Sequence, residues 1–322
     1  MRTAMTRMIR RARRGAKRAG EAILGALAVG LLKALRLTDP DKMADFCGWA
    51  MRKIGPLFKE NRIGRTNLVA AFPEKSAVEI ETILSGAWDN MGRMGAEFAQ
   101  LDRLWDWDPA VPDRINRIVI TRENIERWMK IANDGKPALV FAAHLGNWEL
   151  PAICAATYEL DSAVLYRRPN IAAIDRWLRE TRKVSMGQLI STGLDAPVRI
   201  SEALKRGAHV GMLVDQYYVR GVDVTFFGHR TKANPLIARL ARHFDCPIHG
   251  THVVRLPDNS LRPELTEEIA PARDADGKID IAGTMQIITG VVEGWIREHP
   301  EQWLWQHRRW RPEDDNPVSG RS

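Results

Sequence analysis

From Lys136 onward, short apolar runs alternate with stretches of helical periodicity, and no other feature restricts the fold so strongly. The segments "ALVFAA" (138–143), "SAVLY" (162–166), "GQLIS" (187–191), "HVGMLV" (209–214), "DVTFF" (223–227) and "PIHGTHVV" (247–254) have the length and side chains of strands. Helical patterns occupy 147–158, 170–184, 196–206 and 234–244, and a last helix runs over 283–300. Strands joined by helices must cross over, so the pattern predicts the α/β class: a central, mostly parallel sheet flanked by helices.

The sequence before Lys136 is helical in texture, with recognisable start and stop signals. Asp39-Pro40 opens a segment that ends at Gly55, with proline at the first helical position and glycine past the end. Ser76 and Glu79 have capping-box spacing and start a helix that reaches about Leu101. Thr121 caps another, which ends near Asp134-Gly135. Residues 38–312 are therefore expected to form a single domain, helical over 38–134 and sheet-rich over 136–312, with 313–322 as a flexible tail.

Charge is distributed unevenly. Residues 1–20 hold eight Arg/Lys and no acid, and the remaining 40 basic residues balance the 40 acidic ones. The net charge of +8 thus sits in residues 1–20, within a basic arm, residues 1–21, ahead of a neutral body. Behind the arm, Ala22 to Leu32 is a run of eleven uncharged residues. That is shorter than the roughly 20 residues a spanning helix needs. Residues 22–37 are expected to form a short membrane-associating helix, its basic neighbours favouring an anionic cytoplasmic leaflet. A neutral body without a nucleic-acid-binding motif argues against a nucleic-acid partner. Cys47, Cys154 and Cys246 are too scattered to suggest a disulfide framework or a zinc knuckle.

The chemistry is expected around "HLGNWE", residues 144–149. In an open α/β sheet, ligands bind at the carboxyl ends of the strands, and His144 closes the first predicted strand. Five residues on a continuous helix rotate by about 500°, so a turn must bring His144 and Glu149 together. Gly146 permits unusual φ, Asn147 is a good N-cap, and Glu149 would fall in the first helical turn. A carboxylate on one ring nitrogen leaves the other free to take a proton from a hydroxyl. With no serine in the motif, the hydroxyl is the substrate's own, which points to direct group transfer onto an alcohol. The plainer alternative is a buried histidine bonded to a surface-facing glutamate.

Two further strand ends face the same edge. Arg167 and Arg168 in "LYRRPN" suit the phosphates or carboxylates of an anionic ligand, or else belong to a solvated loop. Asp215 and Gln216 end "GMLVDQ", where Asp215 orients an arginine across the cleft or closes an Asx turn. Trp303, Trp305 and Trp310, beside His307, Arg308 and Arg309, suit either a lipid headgroup boundary or a packed C-terminal strand.

"HLGNWEL", "LYRRPN", "LVDQYYVRGVDVTFFGHRTKANP" and "HPEQWLWQHRRW", in that order, resemble the bacterial lipid A biosynthesis acyltransferases, within the wider H-x-x-x-x-D/E glycerolipid acyltransferase superfamily. The similarity spans roughly residues 25 to 312. It implies transfer of a fatty acyl chain from acyl carrier protein to a hydroxyl of a Kdo-bearing lipid A precursor, with no metal or dissociable cofactor. His144 resembles the family's general base and Glu149 its orienting carboxylate. Arg182 is the choice for a near-site arginine on the helix after "LYRRPN", ahead of Arg179. The segment "GVDVTFFGHR" reads as a hairpin arm whose Phe226, Phe227 and Gly228 would, on the family pattern, form a wall of the acyl or lipid groove, or else ordinary core packing; Thr225 stands where the family's V-P-F-F-G pattern has proline. The resemblance also implies inner-membrane lipids as partners, at the cytoplasmic face of a bacterial inner membrane, with a monotopic or single-pass N-terminal anchor. The competing enzyme reading is another acyltransferase of the superfamily, acting on a phosphatidylinositol mannoside or lysophosphatidate. A non-catalytic basic membrane or nucleic-acid binder is the reading from a different class.

Overall fold

The computed structural model describes residues 20, 22–111, 116–169, 171–182 and 186–311. Most of the basic arm and the C-terminal tail lie outside the described residues. A helix over 22–34 (α1) comes first, followed by α2 (Pro40–Ile54), α3 (Lys59–Ala71) and the long α4 (Ala77–Phe98). The predicted caps form: Asp39 accepts from the backbone of Asp41 and Lys42, and Ser76 and Glu79 make a full capping box. A single turn, α5 (Leu101–Leu104), and then α6 (Arg122–Asn133), capped by Thr121, complete the helical region.

The sheet begins with β1 (Leu139–Ala142), continues through α7 (Leu150–Thr157), β2 (Ser162–Tyr166), α8 (Ala172–Arg182), β3 (Gln188–Ser191) and α9 (Ala196–Lys205), and reaches β4 (His209–Leu213). A hairpin of β5 (Val222–Phe226) and β6 (His229–Ala233) intervenes before α10 (Leu236–Phe244), β7 (Ile248–Arg255), β8 (Leu261–Leu265) and α11 (Ile281–Glu298). The six-stranded order is β3-β2-β4-β1-β7-β8, parallel except for β8, which pairs antiparallel with β7 at one edge. The predicted strand at 223–227 does not join this sheet. It forms a separate two-stranded ribbon with β6, because Phe227 and Gly228 both take positive φ and turn the chain straight back.

Alternate residues of the sheet feed two cores. Leu139 and Phe141 face α11, where Phe141 stacks on Trp295 at 5.6 Å, and they belong to the larger core with α9 and α10. Val140 faces the other way, toward a second core that includes α6 and α7. The helix after β1 therefore lies on one face, whereas α10, reached from β4 through the hairpin, lies on the other. β1 and β4 are neighbours, so their carboxyl ends flank the place where connections diverge, the usual position of a ligand crevice in such sheets.

No helix among the described residues is long and apolar enough to cross a membrane. On α1, Ile23, Leu24, Leu27 and Leu31 are exposed, and the small side of the helix at Gly25 rests closely on Ala173 at the start of α8. Trp303 and Trp305, considered above for a headgroup boundary, are instead fully buried in the main core.

Candidate active site

The register of β1 and β4 decides what meets His144. Ala142 pairs with Leu213, so two residues further on His144 and Asp215 come out side by side at the carboxyl end of the sheet. Asp215 Oδ1 lies 2.8 Å from His144 Nδ1, and Oδ2 accepts the His144 backbone N–H at 2.9 Å and the Trp303 indole N–H at 2.8 Å. A carboxylate on Nδ1 selects the neutral tautomer with its proton there and leaves the Nε2 lone pair open. The Gln216 side-chain amide nitrogen approaches that Nε2 at 3.3 Å, and the Trp148 ring meets the imidazole edge-on at 5.0 Å.

Charge sharpens the pair. Burial disfavours the charged imidazolium of His144, but the charge and hydrogen bond of Asp215, with the charge of Glu149, outweigh it and raise the ring above the ordinary 6.5. Burial likewise works against ionised Asp215, yet the His144 charge and the hydrogen bonds from the ring, the backbone and Trp303 hold it well below the usual carboxylate range.

Glu149 does not touch the ring. It forms a buried ion pair with Arg182, the two side chains being 10% and 9% exposed. Burial pushes the Glu149 carboxyl above its ordinary range, against the pull of Arg182 and of His144. The guanidinium also lies over Phe98 and Tyr166, 5.3 and 5.9 Å from their centroids. The expectation that Glu149 orients the histidine is therefore corrected, and so is the expectation that Asp215 orients an arginine. The turn carries Glu149 toward α8, while strand pairing has already supplied the ring with a nearer carboxylate. Helix α7 also starts two residues later than expected, with Glu149 in place of Asn147 as its N-cap rather than in its first turn.

The turn itself is anchored from below. Gly146 has φ +58°, and a Cβ there would lie 2.0 Å from the Val253 carbonyl oxygen. Asn147 is fully buried and donates to Glu97 Oε2 at 2.9 Å, while its own Oδ1 accepts the Glu149 backbone N–H at 3.2 Å. Glu97 in turn holds Arg255 through contacts of 2.7 and 2.8 Å. Asn90 donates to the carbonyls of Gly146 and Gln302, and the Gly146 N–H bonds to Gln302 O at 3.0 Å. Asn147 thus pins the loop rather than facing a ligand. The supporting residues Glu97, Arg255, Asn90 and Gln302 have no signature in the sequence, since only the fold brings them beneath the turn.

A cavity of about 760 Å³ opens at this site, between one face of the sheet and α4, α7 and α8. His144, Gln216, Arg182 and Glu149 sit on its wall, whose remainder is largely apolar, including Phe98, Val164 and Leu178. Arg167 joins the lining, while Arg168 is exposed outside it and Arg179 pairs with Asp175 at 3.3 Å. Phe226, Phe227 and Gly228 are not part of this wall. Phe226 packs against Trp303 and Trp310, with centroids 5.8 and 5.6 Å apart, and Phe227 packs against Phe72 at 5.3 Å. The ribbon tucks both rings into the core, where Phe226 backs the indole that donates to Asp215. His307 accepts the Tyr217 backbone N–H at 3.3 Å, and burial pushes its ring down to about 4.

A histidine held by a buried carboxylate at Nδ1, with its Nε2 on the wall of an apolar cavity beside a neutral amide, is arranged to take a proton from an alcohol. Residues 16–312 match the family described as bacterial lipid A biosynthesis acyltransferase. The chain is 24% identical over 268 residues to the lipid A biosynthesis palmitoleoyltransferase of Escherichia coli (strain K12), covering 79% of this chain and 80% of that protein. The lipid A biosynthesis acyltransferase of Shigella flexneri is similar to the same extent, 24% over 268 residues, with 79% and 80% covered.

Proposed function

The chain belongs to the bacterial lipid A biosynthesis acyltransferase family and is an acyltransferase enzyme; we propose that it moves a fatty acyl chain from acyl carrier protein to a hydroxyl of a Kdo-bearing lipid A precursor, with His144 as the general base. The observation that carries this reading is the His144 ring on the wall of the apolar cavity, its Nδ1 held by Asp215 at 2.8 Å and its Nε2 turned toward the Gln216 amide nitrogen at 3.3 Å.

Nε2 takes the proton of the acceptor hydroxyl as its oxygen bonds to the thioester carbonyl carbon. Asp215 stabilises the imidazolium that forms. When the tetrahedral intermediate collapses, the carbon–sulfur bond breaks, and the departing pantetheine sulfur takes the proton back from Nε2. The acyl chain of the donor lies along the cavity, a lauroyl, myristoyl or longer chain. Gln216 is within reach to donate to the developing oxyanion. Arg167, exposed at the mouth, suits the anionic groups of the acceptor. In this reading the exposed apolar residues of α1 rest on the cytoplasmic leaflet of the inner membrane, and the close approach of α1 to α8 supports a cavity held near the lipid acceptor. The basic residues 1–20 add attraction to anionic headgroups.

The test is an in vitro assay of the purified protein with lauroyl, myristoyl and palmitoleoyl acyl-carrier-protein donors and a Kdo-bearing lipid A precursor, read by mass. We expect one added secondary acyl chain with the wild type and none with His144→Ala. Wild-type-like transfer by a folded His144→Ala protein would overturn the mechanism. Transfer only to a lysophosphatidate or phosphatidylinositol mannoside would overturn the acceptor.

A further inference from the structure

Exposed apolar side chains are concentrated in one stretch of the chain. Ten of the 21 large apolar residues exposed among the described residues fall between Ile23 and Phe58, so they are not the scattered singles of an ordinary surface. Four of the ten are on α1. Beyond it, α2 presents Phe46 and Trp49, 58% and 51% exposed, and Leu57, 82% exposed, follows in the 3-10 turn Gly55–Leu57. Lys42, Phe46, Trp49 and Lys53 are spaced by four, three and four residues, which puts them on one face of α2. The two rings meet there at 6.0 Å.

This face is not the one that holds α2 in the fold. Ala44 and Gly48 are buried on the opposite side, toward α4. A Cβ at Gly48 would stand 2.6 Å from Asp89 Oδ1, and one at Gly92 would stand 2.2 Å from the Cys47 carbonyl oxygen. Contact that close fixes which side of α2 turns inward, so the helix cannot roll to hide its aromatic stripe.

Charge on α2 separates in the same sense. Asp41 is paired with Arg117 at 2.7 Å and Asp45 with Arg93 at 2.6 Å, while Asp39 caps the helix. Lys42 and Lys53, at the two ends of the stripe, are exposed and form no salt bridge among the described residues. Two aromatic rings between free lysines match the boundary layer of an anionic bilayer, where rings enter below the headgroups and ammonium groups reach the phosphates along apolar stems. A protein partner with an acidic surface would meet the lysines but leave the rings and Leu57 without apolar cover.

We propose that the outward face of α2 is a second bilayer contact, separate from α1, in which Phe46, Trp49 and Leu57 enter the interface of an anionic leaflet and Lys42 and Lys53 bind its phosphates. Helix α4, on which α2 packs, carries Met94 and Phe98 on the cavity wall, so this contact holds the bilayer about one helix layer, roughly 8–10 Å, from the helix that walls the cavity. The inference rests on the acyl-transfer reading only for the membrane as the place of action.

The test uses full-length protein, vesicles of phosphatidylethanolamine and phosphatidylglycerol, and hydroxyl-radical footprinting read by mass. We expect the vesicles to lower the oxidation of Phe46 and Trp49, with Met129 on α6, 50% exposed, as the reference. Phe46→Ser/Trp49→Ser should weaken partitioning into these vesicles about tenfold or more, while its thermal melt stays that of the wild type. Lys42→Glu/Lys53→Glu should weaken it on anionic vesicles far more than on phosphatidylcholine vesicles. Val78→Ser, which removes an exposed apolar side chain in the first turn of α4, should change neither. Oxidation of Phe46 and Trp49 at the free-protein rate on the vesicles would overturn the proposal. Protection that appears without vesicles and rises with protein concentration would also overturn it, by assigning the stripe to a second copy of the chain. Protection on vesicles in a protein that transfers no acyl chain would support the α2 contact and count against the acyl-transfer reading alone.

Discussion

Asp215 grips His144 at two points, the ring Nδ1 at 2.8 Å and the backbone N–H at 2.9 Å, so one carboxylate fixes both the tautomer of the imidazole and the position of its main chain. The grip is itself held from behind by the Trp303 indole at 2.8 Å. Three segments far apart in the chain, the ends of β1 and β4 and the stretch after α11, thus converge on one proton-transfer group.

The pH dependence of kcat/KM follows from this arrangement. General-base action needs the neutral ring, and the folded protein raises His144 above 6.5. The rate should therefore increase with pH through a limb centred above 6.5. Asp215→Asn removes the two leading causes that raise the ring and leaves burial, which lowers it. The limb should move to lower pH while the maximal rate falls by about 10²- to 10⁴-fold. A limb that stays in place in the variant would show that another group is being titrated.

The Glu149–Arg182 pair is a buried one, and removing either partner strands a charge. Glu149→Gln or Arg182→Met alone should cost about 3–5 kcal/mol in urea unfolding. The double variant should recover much of that loss. Additive losses would show that the two groups act independently.

Gly146 should tolerate no side chain. Gly146→Ala combines an unfavourable positive φ with a Cβ placed 2.0 Å from the Val253 carbonyl oxygen. We expect a loss of more than about 2 kcal/mol in unfolding free energy, or an insoluble product. The chain must otherwise shift at the turn, and the His144–Asp215 geometry with it.

Phe226 and Gly211 separate core from cavity. Phe226→Leu should cost about 1–3 kcal/mol of stability and leave the preferred donor length unchanged, since the ring packs among tryptophans away from the cavity. Gly211→Leu should instead keep its stability and move the preference to shorter chains, because the added side chain projects into open space on the cavity wall. Donor profiles read by mass, beside thermal melts, check both.

Much of this protein is written locally. The caps at Asp39, Ser76 and Thr121, the strand that ends before His144 and the hairpin at Phe227-Gly228 depend on neighbours a few residues away, so composition and periodicity reveal them. Ordered blocks of sequence also identify the family and single out His144. The partner of that histidine is another matter. Glu149 is five residues from it and Asp215 is 71, yet the nearer residue in the chain pairs with Arg182 and the distant one holds the ring. Strand order and register make that choice, and they are settled by which apolar faces bury best across the whole sheet. The same holds for Phe226 and Phe227, whose apolar character fits a groove or a core equally well until packing assigns them. Chain sequence by itself determines where helices and strands begin and which residue types stand at their ends; tertiary structure alone decides which of those ends meet, because hydrogen bonds and ion pairs form through space between segments that local periodicity cannot relate.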